Sequence, residues 1–175
     1  MATKLDASLL LFAISIVMSL SLSTHCETAA NENLIAKTCN LTKFLAVCRS
    51  TLRSDPRSSS ANLTGLTRIA MELAGNKAND TAGVAFKRMN NASDYMTWAE
   101  SSACFNGYNI SMYGIKEKGL RYFDERKYDE AYQTVDFLEE QTRHCSRFGR
   151  AEFAKKNSVL LRFTIDVKTI LHQLF

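Results

Sequence analysis

The chain has 175 residues, a hydrophobic fraction of 46% and 10 phenylalanines, which together exclude an intrinsically disordered protein. It has one proline and seven glycines, so long helices are favoured over turn-rich β structures. The net charge of +4, from 22 basic and 18 acidic side chains, is too small to indicate nucleic-acid binding.

The first segment, residues 1–26, has the pattern of a secretory signal peptide. The apolar or small run Leu9–Leu22 is shorter than the ~20 residues that a membrane span needs. Thr24 and Cys26 place small residues at positions −3 and −1 of a cleavage site after Cys26. We therefore expect a secreted protein of residues 27–175 that has no membrane contact after cleavage; an uncleaved signal anchor is the less favoured alternative.

Helical periodicity divides the rest of the chain into a short hairpin and four longer helices. The hairpin is predicted over about residues 31–57 and ends at Pro56, and Ser58–Ser60 is predicted to be a linker. The remaining four amphipathic stretches, over about residues 62–175, are joined by short breaks. This pattern predicts an all-α protein with an up-down-up-down four-helix bundle after an N-terminal α-helical hairpin.

Apolar and small residues recur every three or four positions in the last three stretches, and this spacing predicts the buried face of each helix. The predicted seams cover Trp98–Tyr122, Tyr128–Cys145 and Phe153–Leu174. Lys156 is the polar member of the last seam, where its aliphatic stem can cover apolar surface. Gly149 is predicted to end the third bundle helix.

Four cysteines remain after cleavage behind Cys26, namely Cys39, Cys48, Cys104 and Cys145. In an oxidising compartment they can pair in three ways. The short separation of Cys39 and Cys48 favours a local bridge across the hairpin, and antiparallel neighbouring helices would bring Cys104 level with Cys145. Their spacings match no zinc or redox motif, so no metal site is expected.

Five Asn-x-Ser/Thr sequons are candidate glycosylation sites in a secreted chain. They lie at Asn40, Asn62, Asn79, Asn91 and Asn109. A single motif of this length often arises by chance, so the set carries more weight than any one member. Asn62 is also a candidate N-cap for the first bundle helix.

No arrangement of catalytic residues stands out in the sequence. The histidines His25, His144 and His172 lack metal-ligand spacing, and there is no nucleophile elbow or glycine-rich phosphate loop. Adjacent acids such as Glu139 and Glu140 are typical of solvated helix faces. We therefore expect a binding protein without catalytic residues or a cofactor, rather than an enzyme.

A set of short motifs occurs in a fixed order over about residues 31–174. The motifs are Cys39-Asn-Leu-Thr42 with Cys48, Leu52-Arg-Ser-Asp-Pro-Arg-Ser, Asn62-Leu-Thr-Gly-Leu66, Cys104-x3-Tyr108, Tyr128-Asp-Glu-Ala131, Cys145-x2-Phe148 and the closing Asn157, Leu161, Ile165 helix. As a set they resemble the plant invertase/pectin methylesterase inhibitor family. Ala46-Val47 stands where members of that family often have a proline, a departure that concerns the hairpin.

The resemblance implies a secreted four-helix bundle with an N-terminal α-hairpin and disulfides from first to second and from third to fourth cysteine. It also implies a non-catalytic inhibitor that caps the active-site cleft of a carbohydrate enzyme. One branch of the family inhibits pectin methylesterase in the cell wall, and the other inhibits acid invertase (β-fructofuranosidase) in the cell wall or the vacuole. The expected location is therefore extracellular, in the apoplast, with the vacuole as an alternative.

The choice of target depends on the segment between the second and third bundle helices. In invertase inhibitors this turn carries Pro-Lys-Phe and enters the enzyme, and here the aligned residues are Arg126, Lys127 and Tyr128. The resemblance therefore implies that Lys127 and Tyr128 are target-binding residues if the target is invertase. The missing proline favours pectin methylesterase, and the seam spacing favours Tyr128 as the first core residue of its helix.

Two hypotheses of other classes remain open. One is a secreted helical ligand that has no enzyme target. The other is direct binding of acidic pectin by the basic surface, which would weaken as salt increases.

Overall fold

The computed structural model describes residues 34–148 and 152–175, which are mostly helical and contain no strand. The helices are α1 (34–40), α2 (Leu45–Arg53), α3 (Leu63–Asn90), α4 (Tyr95–Tyr113), α5 (Leu120–Asp124), α6 (Tyr128–Cys145) and α7 (Glu152–Leu171). Short 3-10 turns lie at Pro56–Ser59 and His172–Leu174, and a π-helical segment, Gly114–Gly119, joins α4 to α5. The predicted signal peptide (1–26) and Gly149 lie outside the described residues.

Four elements form the predicted antiparallel bundle: α3, the continuous α4–α5 unit, α6 and α7. Helix α3 packs against α4 and α7, and α6 packs against the same two neighbours, whereas diagonal pairs hardly touch. This arrangement is the up-down-up-down four-helix bundle expected from the sequence. Its largest fully buried side chains include Tyr108, Phe163, Leu66, Met71 and Leu138.

Side-chain caps set the starts of the first two bundle helices. Asn62 Oδ1 accepts a hydrogen bond from Gly65 N at 2.8 Å, which confirms the predicted N-cap of α3. Asp94 Oδ1 accepts from Thr97 N at 2.8 Å and caps α4 in the same way. None of the helices within 34–148 and 152–175 combines the length and the apolarity that a membrane span requires.

The predicted seams are largely buried, with two corrections. Trp98, the predicted first member of the α4 seam, is 47% exposed, because it lies in the first turn of α4 and stacks on the exposed ring of Tyr95. Lys156, the predicted polar member of the α7 seam, is exposed, and its neighbour Asn157 is buried instead. Asn157 takes the core position because its amide forms hydrogen bonds with Tyr108 and with α6.

Helices α1 and α2 form the predicted N-terminal hairpin, and α2 packs against α7 and α3. The Cys39–Cys48 disulfide closes the hairpin, with 5.7 Å between the two Cα atoms. Asp166 of α7 is fully buried beneath the hairpin turn, and its Oδ1 accepts from Phe44 N at 2.8 Å. One carboxylate of the bundle therefore binds the backbone at the start of α2.

The predicted linker Ser58–Ser60 overlaps an ordered 3-10 turn, which is a further correction. Asp55 caps this turn by accepting from Arg57 N at 3.0 Å, and Ser58 is buried. The short link between the hairpin and the bundle is thus a defined turn.

The second disulfide, Cys104–Cys145, joins α4 to α6, with 5.7 Å between the Cα atoms. Gly119 of the π-helical segment lets that segment approach α6 closely, because a Cβ atom there would collide with the Thr134 hydroxyl. The structure thus contains both bridges in the pairing expected from the sequence.

Candidate functional site

Two surfaces of the bundle present side chains suited to contact a partner. The first is the α5–α6 turn, Glu125–Lys127, together with Tyr128. The second is the α4–α6 face, defined by the exposed apolar side chains of Ile110, Tyr113 and Phe137.

The α5–α6 turn is tight and contains a strained residue. Arg126 has a φ of 59°, a left-handed conformation that non-glycine residues rarely adopt. The turn is closed by a hydrogen bond from Lys127 N to the Tyr122 carbonyl at 2.8 Å. Backbone strain of this kind persists where the surrounding structure holds the segment in place.

Lys127 projects into solvent from this turn. Its ammonium binds the Glu125 carboxylate at 2.7 Å. This hydrogen bond raises the pKa of Lys127 above its usual value and lowers the pKa of Glu125. Lys127 is therefore an accessible cation that already has one acidic partner.

Tyr128 differs from its neighbour because it is partly buried. Its ring lies 5.4 Å from the Phe123 ring and stacks on Phe175 at 6.4 Å, between ring centroids. Tyr128 thus packs against the bundle as the first residue of α6, where the seam spacing placed it. A contact of Lys127 and Tyr128 with a target enzyme remains a prediction.

An ion-pair chain connects the turn to α3. Arg68 donates from Nε to Asp124 Oδ1 at 2.9 Å and also pairs with Glu72. Glu72 in turn binds Arg57 of the 3-10 turn at 2.6 Å. Beside this chain lies an open cleft of about 350 Å³, and Arg68, Arg126 and Tyr128 contribute to its lining. Sequence analysis missed the chain because Arg68 and Asp124 are 56 positions apart.

The α4–α6 face is apolar and exposed. Ile110 and Tyr113 on α4 are 60% and 63% exposed, and Phe137 on α6 is 39% exposed. Ile110 and Phe137 border a shallow groove of about 350 Å³, with Tyr122 between the two helices. Several large apolar side chains exposed on adjacent helices are typical of a surface that contacts another protein.

The π-helical segment Gly114–Gly119 forms one end of this groove, where Gly114 contributes to the lining. Ile115 and Gly119 are buried against the bundle, while the charged residues between them are exposed. The sequence spacing predicted these two buried positions but not the wider turn. Such segments are often found at functional sites of helical proteins.

The five sequons have different surroundings. Four of the asparagines are exposed, namely Asn40, Asn62, Asn79 and Asn91, and Asn109 is half-buried beside Ile110 on α4. The hydroxyl residues Thr81 and Ser111 of two sequons are buried and donate to backbone carbonyls. Glycosylation of these sites remains a prediction.

The described residues form a disulfide-closed helical bundle that has an exposed apolar face. Comparison with known proteins identifies the family to which this bundle belongs. The chain belongs to the plant invertase/pectin methylesterase inhibitor family, whose model matches residues 33–146. The family consists of enzyme inhibitors rather than enzymes.

Two curated relatives carry names from the two branches of the family. A pectinesterase inhibitor from Actinidia deliciosa is 28% identical over 104 residues, which cover 59% of this chain and 56% of the relative. The cell wall / vacuolar inhibitor of fructosidase 2 from Arabidopsis thaliana is 35% identical over 77 residues, 43% of each chain. The matches thus span about half the length of these relatives.

Two solved structures share the fold. One is a mutant form of a pectin methylesterase inhibitor from Arabidopsis, with a TM-score of 0.65 and 14% identity over 77% of this chain and 92% of that chain. The other is a pectin methylesterase inhibitor from Arabidopsis thaliana, with a TM-score of 0.59 and 13% identity over 81% and 95%. At these identities the likeness establishes the fold alone.

Proposed function

We propose that this protein is a secreted, non-covalent inhibitor that caps the active-site cleft of pectin methylesterase. The observation that carries the proposal is the apolar α4–α6 face, with Ile110, Tyr113 and Phe137 exposed on two adjacent helices. A broad helical face of this kind suits a shallow polysaccharide-binding cleft. The pectinesterase inhibitor among the named relatives supports the choice of target.

The rigidity of the bundle favours this mode of inhibition. The Cys104–Cys145 disulfide joins α4 to α6, and the adjoining π-helical segment packs closely on α6 at Gly119, so the face is ordered before binding. Association then costs little additional conformational entropy. Exposed aromatic and aliphatic side chains at the centre of such a face are the usual energetic anchors of an interface.

The alternative target is acid invertase, and a separate observation supports it. Lys127 projects from the strained α5–α6 turn beside the cleft that Arg68 and Arg126 line. In this hypothesis Lys127 supplies a cation for catalytic carboxylates, and Tyr128 supplies an apolar surface for a sugar ring. The second named relative belongs to this branch.

The test measures inhibition constants against purified pectin methylesterase and purified acid invertase, side by side across pH. Ile110→Asp places a charge at the centre of the α4–α6 face, so we expect at least about tenfold weaker inhibition of pectin methylesterase, ~1.4 kcal/mol. Lys127→Ala is expected to change that constant less than about twofold. Met96→Asp is the matched control, because Met96 is an exposed apolar residue of α4 outside the groove.

Circular dichroism and thermal unfolding check that each variant is folded. Full potency of folded Ile110→Asp on pectin methylesterase would refute the α4–α6 face. Inhibition of invertase alone, lost in Lys127→Ala, would establish the alternative target. Failure of the native protein on both enzymes would leave the hypothesis of a secreted helical ligand.

A further inference from the structure

We propose that a cleft between α3 and α7 binds an acidic sugar of the uronate class through Lys77, Lys155 and Lys156. This lysine cleft has a volume of about 380 Å³ and lies outside both surfaces discussed above. Its lining consists of Lys77, Asp80, Thr81, Glu152, Lys155, Lys156, Val159 and Leu160. The choice of a uronate rests on the proposed function, because demethylated pectin is a polymer of galacturonate.

Lys77 and Lys168 are both partly buried in the bundle, but their charged surroundings differ. Lys168 Nζ binds Glu139 Oε2 at 3.1 Å and also the Asp136 carboxylate, and these partners raise its pKa. Lys77 has no carboxylate within ion-pair distance in the described part of the chain, and its Nζ lies 5.9 Å from the centre of the Phe163 ring. Burial lowers the pKa of Lys77.

The difference between the two lysines indicates a missing anion at Lys77. A partly buried ammonium is stable when a carboxylate neutralises it, as at Lys168. Lys77 instead opens into the lysine cleft, where the Asp80 carboxylate favours its protonation from beyond ion-pair distance and the positive charge of Lys156 opposes it. A ligand carboxylate in the cleft would supply the partner that the protein supplies at Lys168.

Lys155 and Lys156 add to the positive potential of the cleft. Both side chains are exposed on the first turns of α7, and neither has an ion pair within residues 34–148 and 152–175. Three ammonium groups at one cleft attract an anion, and a bound anion can contact more than one of them.

The remaining lining residues favour a sugar over a compact inorganic anion. Val159 and Leu160 provide an apolar floor for the carbon–hydrogen face of a sugar ring. Asp80 and Glu152 have no ion-pair partner among the described residues, so their oxygens can accept hydrogen bonds from sugar hydroxyls. The same two carboxylates would repel phosphate or sulfate, which carry no hydroxyl-rich ring to offset the repulsion.

Such a site would direct the inhibitor toward its target. Removal of methyl esters from pectin leaves free carboxylates, which the lysine cleft is built to bind. The protein would therefore concentrate on the stretches of pectin where the esterase has already acted, while the α4–α6 face stays free for the enzyme.

The experiment titrates the intact protein with a galacturonate oligomer, its fully methyl-esterified form and inorganic phosphate, at matched ionic strength. Calorimetry measures affinity, and NMR shifts of the lysine side chains locate the site. We expect binding of the free acid, at least about tenfold weaker binding of the ester, and shifts at Lys77, Lys155 and Lys156. Lys77→Met keeps the stem over Phe163 and should lose at least about tenfold in affinity.

Lys116→Met is the matched control, because Lys116 is an exposed lysine on the π-helical segment. Equal affinity for ester and acid, equal affinity for phosphate, or unchanged binding by Lys77→Met would each overturn the proposal. If Lys77→Met does not fold, the double variant Lys155→Gln/Lys156→Gln provides the same test. No enzyme is present in the titration, so a failure to inhibit pectin methylesterase would refute the proposed function without affecting the uronate site.

Discussion

The bundle and the N-terminal hairpin are each closed by one disulfide and by one buried polar residue of α7. In the bundle that residue is Asn157, and its amide is fully used. Its Oδ1 accepts from the Tyr108 hydroxyl, and its Nδ2 donates to the Thr142 carbonyl at 3.1 Å and to Ser146 Oγ at 2.9 Å. Three helices therefore share one neutral and satisfied group.

Under the hairpin the corresponding residue is Asp166, and it is only partly satisfied. Its Oδ1 accepts from Phe44 N, but Oδ2 has no hydrogen-bond partner in the described part of the chain. Burial is the main cause that raises its pKa to about 6, and the hydrogen bond from Phe44 N opposes this rise. Nearby, the Arg162 guanidinium and the Lys43 ammonium both lie over the Phe44 ring.

Because of this difference, we expect the stability of the bundle to be independent of pH and the attachment of the hairpin to depend on it. A neutral amide with all its hydrogen bonds formed has the same free energy at pH 4 and at pH 8. A buried carboxylate with an unpartnered oxygen is destabilising once it ionises. We therefore expect the bundle to keep its stability across this range and the hairpin to attach most firmly in acid.

The largest expected effect concerns the two disulfides. Cys104 and Cys145 are 41 positions apart, whereas Cys39 and Cys48 are 9 apart. In the chain-entropy model Cys104→Ala/Cys145→Ala should lower the free energy of unfolding by about 4 kcal/mol, and the hairpin double variant by roughly 1 kcal/mol less. Urea unfolding of both variants measures the difference. An equal or larger loss from the hairpin pair would show that loop length does not govern their contributions.

The next effect on the free energy of unfolding concerns the side-chain amide of Asn157 in the bundle. Asn157→Ala leaves the Tyr108 hydroxyl without its partner and a cavity in the core, whereas the Thr142 carbonyl keeps its hydrogen bonds from Ser146. The variant should lower the free energy of unfolding by about 3 kcal/mol. Tyr108→Phe should lower it by about 1 kcal/mol, and the double variant by less than the sum of the two. Urea unfolding of the four proteins gives the coupling energy. Additive losses would contradict a shared network.

The smallest of the three effects depends on pH. The pKa of Asp166 in the folded protein, about 6, lies above its ordinary value of 3.8. The stabilisation that protonated Asp166 gives is therefore present below about pH 4 and is lost as pH rises through about 6. This loss lowers the free energy of unfolding by up to about 3 kcal/mol. Asp166→Asn keeps an acceptor for Phe44 N and cannot ionise, so its free energy of unfolding should lack this decline.

Urea unfolding at pH 4 and pH 7.5 measures the change, and amide hydrogen exchange shows whether α1 and α2 are the part affected. Asp129→Asn is the control, because Asp129 is an exposed carboxylate in the first turn of α6. The same pH dependence in Asp166→Asn and in the native protein would rule out Asp166 as its origin.

Local features of the sequence were sufficient for most of the fold. Asn62 and Asp94 mark helix starts because their side chains cap the next turn, and this depends only on nearby residues. The seam from Tyr128 to Cys145 is recognisable for the same reason, since helical spacing alone decides which residues share a face. Lys127 lies in the turn before α6 and Tyr128 begins that helix, and their contact with a target stays a prediction.

Details that depend on partners distant in sequence were not predictable. Lys156 and Asn157 are adjacent, and Asn157 faces the core because its amide meets Tyr108 of α4 and the end of α6. Phe137 on α6 and Ile110 on α4 border one groove, and this depends on how the two helices pack against each other. No spacing rule within one helix contains this information.

By itself, the sequence determined the four bundle helices, the hairpin and the resemblance to an inhibitor family, because these depend on periodicity, capping and short motifs. The tertiary structure alone decided that Asp166 lies beneath the hairpin and that Lys77 meets Lys156 in one cleft. Such groups come together only when helices pack, and the desolvation and charge–charge interactions that give them chemical character exist only in the packed state.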